Sequence, residues 1–294
     1  MSELVTFIPA GGLGTRLHPH TLRTPKPLLP MGAPDKCIIN FPIDLSMTAS
    51  EHTWVSTDYL DDQLEDYIGS INGVSTLRDN ETIGSGGSLI KHYDKLSTTD
   101  SNGDTLILPC DHIYEGLSLL DFWQKHQENE ADITLLTVPP KPYGEYVTLT
   151  DNMPVSVEKR AARGALSTTG IFILRNQFLT NWIANARRNT DGMVNCNIYY
   201  DIIRPSIGRY AVSHYFLDEP GYWEDTGTPS LYVASNMRLS AGRTVIASSA
   251  QVRSPEQLKR CVVLPGTVIE EGFCASNSII SSTSDGKLLI TKVS

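Results

Sequence analysis

Short apolar runs alternate with amphipathic stretches through the first half of the chain, and this alternation constrains the fold more than any other feature. Runs of β-branched and aliphatic residues that stop at glycine, proline or aspartate are typical of buried strands. Four such runs are Leu4–Ala10, His52–Asp58, Asp104–Asp111 and Ala131–Pro139. Apolar residues at helical spacing fill the segments between them. This pattern predicts an α/β fold with a mostly parallel, doubly wound (Rossmann-like) sheet that has helices on both faces.

The pattern changes after about residue 139. Short alternating runs at Glu145–Asp151 and Met153–Lys159 are typical of antiparallel strands, and Ser167–Leu174 predicts a further strand. We therefore expect antiparallel strands inserted into the sheet, and one domain that extends over residues 1–240.

The tail, residues 241–294, has a different texture. Val262, Val268, Cys274 and Ile280 recur every six residues, which resembles the repeat of a left-handed β-helix. We expect a short β-helix-like segment here. The alternative is an irregular β appendage, because the run is short and a cysteine replaces one aliphatic residue.

Charge and cysteine usage exclude several classes of protein. The net charge of −9 argues against a general nucleic-acid or anionic-membrane binder, which needs an excess of Lys and Arg. The five cysteines include no CxxC pair, which argues against a disulfide framework or zinc knuckle. The first residues lack the basic segment of a signal peptide, and no stretch is apolar enough to span a bilayer. We expect a soluble, cytoplasmic protein.

The stretch from Gly11 to Pro30, GGLGTRLHPHTLRTPKPLLP, follows the first predicted strand. A glycine turn brings backbone N–H groups close to a ligand, and such groups form a cradle for anions. Arg16 can donate two hydrogen bonds to phosphate oxygens, and Lys26 adds a point charge between two prolines that fix the backbone. The stretch therefore predicts a binding site for a triphosphate.

Two common phosphate-binding motifs do not account for this stretch. A Walker loop requires Gly, four residues and then Gly-Lys-Ser/Thr, which the sequence does not supply. A dinucleotide fingerprint requires a third glycine, where this chain has Leu17.

The glycine-rich stretch resembles the signature of the sugar-1-phosphate nucleotidylyltransferases, also called sugar nucleotide pyrophosphorylases. The resemblance covers about residues 4–236 and extends in part to the tail. Further motifs follow in the family's order, as ETIGSGGSL, LILPCDH, PYGEYVTL, VEKR, STTGIFIL and GYWEDTGTPSLYVASN. The loop at Gly84–Gly87 is similar to the GTGG and GTAG loops of guanylyltransferases and of some cytidylyl- or uridylyltransferases. The members most like this chain are the mannose- and heptose-1-phosphate guanylyltransferases.

The resemblance implies that a phosphate oxygen of a sugar 1-phosphate attacks the α-phosphorus of a nucleoside triphosphate. Pyrophosphate leaves and a nucleotide sugar forms. The nucleophile is already an anion, so catalysis depends on positioning and charge neutralisation rather than on a general base. We expect GTP as the nucleotide, and mannose, a heptose or a modified hexose as the sugar. Uridylyl, cytidylyl or thymidylyl transfer is the alternative within the family.

The resemblance also assigns roles to individual residues. Asp111 and Asp225 are the expected ligands of Mg²⁺, although either aspartate alone could be a helix cap or a turn residue. The expected catalytic residues are Arg16, Lys26, Asp111 and Asp225. The expected nucleotide-binding residues are Ala10, Gly11, Gly12, Gly14, Thr15, Arg16, Gly84, Gly86 and Gly87. The expected sugar-phosphate-binding residues are Gly144, Glu158, Lys159 and Gly170.

Other classes of function stay open at this point. A non-catalytic regulatory relative would have the same fold, but the joint presence of the catalytic residues argues against it. A kinase or glycosyltransferase is a further alternative; glycosyltransferases usually carry an Asp-x-Asp motif, and this chain has Cys110-Asp111-His112. We interpret His18, His20 and His112 as pocket walls or hydrogen-bonded histidines, and Trp223 as packing beneath Asp225. A homo-oligomer is a further hypothesis.

Overall fold

The computed structural model describes residues 3–96, 103–189, 195–218 and 221–293. The strands up to residue 225 are β1 (Leu4–Pro9), β2 (His52–Thr57), β3 (Val74–Arg78), β4 (Asp104–Ile107), β5 (His112–Glu115), β6 (Ile133–Val138), β7 (Tyr146–Thr150), β8 (Met153–Glu158), β9 (Leu166–Arg175), β10 (Val212–Phe216) and β11 (Tyr222–Asp225). The α-helices are α1 (Asn40–Ser46), α2 (Asp61–Ile68), α3 (Gly84–Leu96), α4 (Leu119–Glu128), α5 (Asn176–Asn189), α6 (Arg204–Ser206) and α7 (Pro229–Leu239). A π-helical segment spans Ile198–Ile203, and short 3₁₀ turns span Thr15–Leu17, His20–Leu22 and Lys26–Leu28.

The main sheet has the strand order β10-β6-β9-β4-β1-β2-β3. Strands β1 to β4 pair in parallel, and β6 and β10 also pair in parallel with each other. Strand β9 lies between β4 and β6 and is antiparallel to both. The hairpin of β7 and β8 extends the sheet from β9. The predicted α/β fold with a mostly parallel sheet is confirmed, and the antiparallel insertion lies at its centre.

Alternate residues of the central strands pack on opposite faces of the sheet. Phe7 belongs to a buried cluster with side chains from α3 and α5, whereas Leu4 and Ile8 belong to a second cluster with side chains from α1, α2 and α4. This alternation follows from the two-residue period of a strand. Helices therefore cover both faces, as the sequence predicted.

A two-stranded antiparallel ribbon, β5 with β11, lies outside the main sheet. Its register pairs His112 with Asp225. The ribbon therefore brings Asp111, which follows the end of β4, close to Asp225, although the two residues are far apart in the sequence.

The tail forms a parallel coil of very short strands. These strands are β12 (Val245–Ile246), β13 (Gln251–Val252), β14 (Leu258–Lys259), β15 (Val262–Val263), β16 (Val268–Ile269), β17 (Ala275–Ser276), β18 (Ser278–Ser282) and β19 (Leu288–Lys292). Strands β12, β13 and β14 pair in parallel with β15, β16 and β17, and β15 pairs in parallel with β18. Strand β19 then returns antiparallel to β18. The left-handed sense of the coil stays a prediction.

The four residues of the six-residue series differ in burial: Val262 and Ile280 are buried, and the other two are not. Val268 is 45% exposed and Cys274 is also exposed. The side chains inside the coil include Val263, Ile269 and Ala275, which keep the six-residue spacing but are displaced by one position.

The coil packs against the preceding domain through a shared buried cluster. Val262, Leu264 and Ile279 of the coil contact a cluster that also contains Tyr232 and Met237 of α7. The proposed boundary near residue 240 therefore crosses a continuous apolar core.

No helix in the part of the chain that the structure describes is both long enough and apolar enough to cross a membrane.

Candidate active site

The glycine turn begins where β1 ends. The Ala10 amide still donates to the carbonyl of Ser56 on β2 at 3.0 Å, so the strand holds the start of the turn. A Cβ on Gly11 would lie 2.8 Å from the Cβ of Asp58, and Gly14 has φ of +63°. Gly11 is needed because the chain passes too close to Asp58 for a side chain, and Gly14 is needed because its backbone is left-handed.

The amides of the turn are available to a ligand. Within the described residues, no protein group accepts a hydrogen bond from the amides of Gly11, Gly12, Leu13 or Gly14. The 3₁₀ turn that follows presents the Arg16 side chain, which is 59% exposed. Free amides beside an exposed guanidinium form an arrangement suited to an anion.

Lys26 is buried, and its ammonium forms a short ion pair with Oδ2 of Asp111. Burial by itself would raise the pKa of the Asp111 carboxyl, but Lys26, His112 and Arg16 lower it, and the net shift is downward. Asp111 is therefore a carboxylate at neutral pH. The structure brings together these two sequence-predicted residues and Arg16 around one point.

Asp225 completes the cluster from the end of β11. Ligand atoms of Asp111, His112 and Asp225 all lie within 4.8 Å of one another. Nη1 of Arg16 lies 3.7 Å from Oδ2 of Asp225, and the Gly227 amide donates to Oδ1 of Asp225 at 2.6 Å. Each carboxylate is thus held by a cation or a backbone amide.

His112 is present in the cluster but is not available as a base. The Trp223 indole Nε1–H donates to Nδ1 of His112 at 3.2 Å, and the two rings meet edge to face at 5.2 Å. Burial lowers the pKa of His112 although Asp111 opposes the shift. The neutral ring then carries its proton on Nε2, 3.6 Å from Oδ1 of Asp111. Trp223 thus supports His112, and its predicted packing beneath Asp225 stays a prediction.

The remaining donors in this cluster suit a hard divalent cation. Carboxylate oxygens are the ligands that Mg²⁺ and similar ions prefer, and the protonated Nε2 of His112 is not a metal ligand. Asp111 and Asp225 therefore fit the predicted metal site.

A cleft of about 480 Å³ extends from this cluster along the glycine turn to α3. Its described lining residues include the sequence-predicted Gly11, Gly12, Gly84 and Asp111. At the end near α3, the lining includes polar residues that sequence reasoning missed, namely Asp58, Asp79, Thr82 and Ser88. Ser88 is only 2% exposed, and its hydroxyl has no hydrogen-bond partner among the described residues.

Gly86 and Gly87 belong to α3 and are not among the described residues that line this cleft. Both amides donate to the carbonyl of Cys196, at 2.9 and 3.2 Å, and a Cβ on Gly86 would lie 2.6 Å from Sγ of Cys196. Close packing accounts for Gly86 without a ligand. The predicted contact of these two glycines with a base stays a prediction.

A second, more open cleft of about 700 Å³ lies on the other side of the cluster. The sequence-predicted Arg16, Gly144, Lys159, Gly170 and Asp225 line it. Gly170 and Tyr199 line both clefts, so the two spaces adjoin.

Glu158 is not among the described residues that line this cleft. It is exposed and lies 3.5 Å from Arg204. The lining residues that sequence reasoning missed are Tyr143, Glu145, Thr168, Thr169, Tyr199, Tyr200, Thr228 and Leu231. Glu145 follows the predicted Gly144 directly, so its position in the PYGEY motif was the available signal.

A family model described as nucleotidyl transferase matches residues 5–242, most of the chain. The chain belongs to the nucleotidyl transferase family. This membership confirms the family that the sequence motifs indicated and makes the chain a nucleotidyltransferase.

Two solved structures have folds similar to that of this nucleotidyltransferase. A putative glucose-1-phosphate thymidylyltransferase from Bacillus anthracis, in complex with a sucrose, has a TM-score of 0.65 at 16% identity, over 81% of this chain and 95% of that chain. HddC from Yersinia pseudotuberculosis has a TM-score of 0.63 at 19% identity, over 80% of this chain and 98% of that chain. At these identities the likeness shows the fold.

Proposed function

We propose that this nucleotidyltransferase transfers a nucleoside monophosphate from a nucleoside triphosphate to a sugar 1-phosphate. One observation carries the proposal. Two adjoining clefts meet at Asp111 and Asp225. The free amides of Gly11 and Gly12 lie in the first cleft, and Arg16 and Lys159 lie in the second. One cleft fits the nucleotide and the other fits the sugar phosphate.

In the proposed reaction, a phosphate oxygen of the sugar 1-phosphate attacks the α-phosphorus in line. A new P–O bond forms, the bond between the α- and β-phosphates breaks, and its electron pair leaves with pyrophosphate. The free amides from Gly11 to Gly14 bind the leaving phosphates, and Arg16 stabilises the charge that develops on them. No proton has to move, which agrees with a neutral His112 held by Trp223.

Lys26 and Lys159 complete the neutralisation of charge. Lys26 exchanges its ion pair with Asp111 for a phosphate oxygen near the reacting centre. Lys159, exposed in the second cleft, binds the phosphate of the sugar substrate. Both amines hold the two anionic substrates close together, which is the main requirement of this chemistry.

Asp111 and Asp225 would hold the divalent metal ion, which we propose is Mg²⁺. When bound, the ion supplies positive charge to phosphate oxygens as a Lewis acid. The lowered pKa of Asp111 keeps this ligand ionised at neutral pH.

We propose GTP as the nucleotide. The described residues that line the first cleft include the carboxylates of Asp58 and Asp79 but no Lys or Arg. Carboxylates accept hydrogen bonds, and guanine offers adjacent N–H donors on its pairing edge. Thymidylyl transfer is the second candidate, because the similar Bacillus anthracis structure is that of a putative glucose-1-phosphate thymidylyltransferase. Uridylyl and cytidylyl transfer are the further alternatives.

The test is pyrophosphate release with Mg²⁺ over a matrix of GTP, dTTP, UTP, CTP and ATP against hexose and heptose 1-phosphates, mannose 1-phosphate included. Turnover that requires both substrates, fastest with GTP, would support the proposal. Turnover with dTTP alone would keep the reaction class and replace the base. Nucleotide binding without any turnover would favour a non-catalytic relative.

A further inference from the structure

Glu145 is held in the second cleft by two different elements. Its backbone carbonyl accepts a hydrogen bond from the Thr168 amide at 3.0 Å, which fixes the main chain beside β9. Its side-chain Oε1 accepts from the Tyr200 hydroxyl of the π-helical segment at 2.6 Å. The carboxylate is therefore oriented before any ligand arrives.

Tyr199 places a second polar group beside Glu145. Its hydroxyl is buried and makes no hydrogen bond of good geometry in the part of the chain that the structure describes, although the Glu145 carboxylate lies beside it. Burial raises the pKa of Tyr199, and the neighbouring Glu145 raises it further, so the phenol keeps its proton. A buried hydroxyl without a partner is costly, and a ligand or water in the cleft can satisfy it.

The second cleft is lined by both cations and carboxylates, and the carboxylate of Glu145 is not paired with a cation of the described lining. Among its described lining residues the cations are Arg16, which we assign to the leaving phosphates, and Lys159, which we assign to the phosphate of the sugar. Asp225 belongs to the metal cluster. The Glu145 carboxylate faces the cleft beside two phenol hydroxyls, those of Tyr200 and Tyr199. A second negative charge on the sugar would meet this carboxylate with no cation left to balance it.

We propose that Glu145 is a specificity-determining residue that restricts this enzyme to sugar 1-phosphates without a second negative charge. Ring hydroxyls or an amino group of the sugar donate hydrogen bonds to its carboxylate. Hexuronic acid 1-phosphates and sugars with a second phosphate are rejected. This inference rests on the proposed function, because it assigns the second cleft to the sugar.

Equilibrium binding tests the inference independently of turnover. Calorimetry would compare a hexose 1-phosphate with the matching hexuronic acid 1-phosphate, in the presence of an α,β-methylene nucleoside triphosphate that cannot react. We expect wild type to bind the hexose 1-phosphate at least about tenfold tighter. Glu145→Gln keeps the shape and removes the charge, so this ratio should fall at least about threefold.

Two further variants make the result specific. Glu128→Gln on α4 removes an exposed carboxylate that contacts Gln124 and Lys125, and should leave the ratio unchanged. Glu158→Gln tests the carboxylate that the family resemblance favours. Thermal melting would verify that each variant is folded, and Glu145→Asp provides a second variant that keeps the charge and should keep the preference.

Several results would overturn the inference. These are equal binding of the two sugar phosphates to wild type, an unchanged ratio in Glu145→Gln, a ratio that falls only in Glu158→Gln, or no binding of either sugar phosphate. Binding that follows the expected pattern without turnover would instead leave the inference standing and contradict the proposed catalysis.

Discussion

At the scale of single residues, the clearest prediction concerns Asp111 and Asp225. Asp111→Asn and Asp225→Asn keep the side-chain shape but remove the charge that would hold the metal, so each should lower kcat at least about 100-fold. Steady-state kinetics with Mg²⁺ would measure this loss, and thermal melting would verify the fold. Near-normal activity in the double variant would contradict the metal assignment.

Gly12 provides a second test at this scale. A Cβ at this position would meet nothing within 4 Å, so Gly12→Ala should leave the melting temperature unchanged or slightly raised. The added methyl group would stand where phosphates approach the free amides, so KM for the nucleoside triphosphate should rise about tenfold. Unaltered KM would argue that the phosphates lie elsewhere.

The sequence predicted some site residues better than others. Arg16 and Lys26 were predicted from the glycine turn and the prolines around them, whereas the role of Asp111 came from the family resemblance; the structure places the three side chains together. Glu145 was missed because its role depends on Tyr200, which is 55 residues away in the sequence. A contact between residues so far apart in the sequence depends on the tertiary fold, which local sequence patterns do not reveal.

At the scale of elements, the junction between α3 and the segment before the π-helix can be tested by coupling. Gly86→Ala places a Cβ 2.6 Å from Sγ of Cys196 and should destabilise the protein by about 1–3 kcal/mol. Cys196→Ala removes that sulfur, so the double variant should be less destabilised than the sum of the single variants. Urea unfolding would measure the free energy of unfolding of the two single variants and the double variant. Strictly additive changes would show that the added Cβ and the Cys196 sulfur do not clash, and would contradict the expectation.

At the scale of elements, the sequence predicted strands correctly where a local run of apolar residues is enough to identify them. The apolar runs of β1, β4 and β6 have no competing interpretation. Strand β9 was predicted as a strand, but its antiparallel position between β4 and β6 is a matter of topology. The β5–β11 ribbon is equally non-local, although it positions both aspartates of the site.

At the scale of the whole molecule, His20 joins the glycine-rich stretch to the coil. Its two ring nitrogens lie 2.8 Å from the hydroxyls of Ser281 and Thr291, and burial lowers its pKa from 6.5 to about 4. As the pH falls below 6.5, His20 therefore binds a proton in the unfolded chain but stays neutral in the folded protein until the pH approaches 4. The stability from a neutral His20 is complete above pH 6.5 and lost as the pH falls towards 4, by up to about 3 kcal/mol.

His20→Asn should reduce this loss of stability between pH 7 and pH 4. Denaturant unfolding at several pH values would compare it with wild type and with His18→Asn, which changes an exposed neighbour. Parallel pH profiles for wild type and His20→Asn would contradict the assignment. The sequence indicated the coil but could not indicate this junction, because His20 and its partners are more than 250 residues apart.

The most direct test of the central claim follows the α-phosphorus itself. The protein would be incubated with Mg²⁺, α-³²P-labelled GTP and mannose 1-phosphate, with the other nucleotides and sugar phosphates in parallel. We predict that the label moves into a nucleotide sugar in equal amount to the pyrophosphate released, and that Asp225→Asn abolishes the transfer. Label that stays in free nucleotides for every pair, from folded protein that binds a triphosphate, would contradict nucleotidyl transfer to a sugar 1-phosphate.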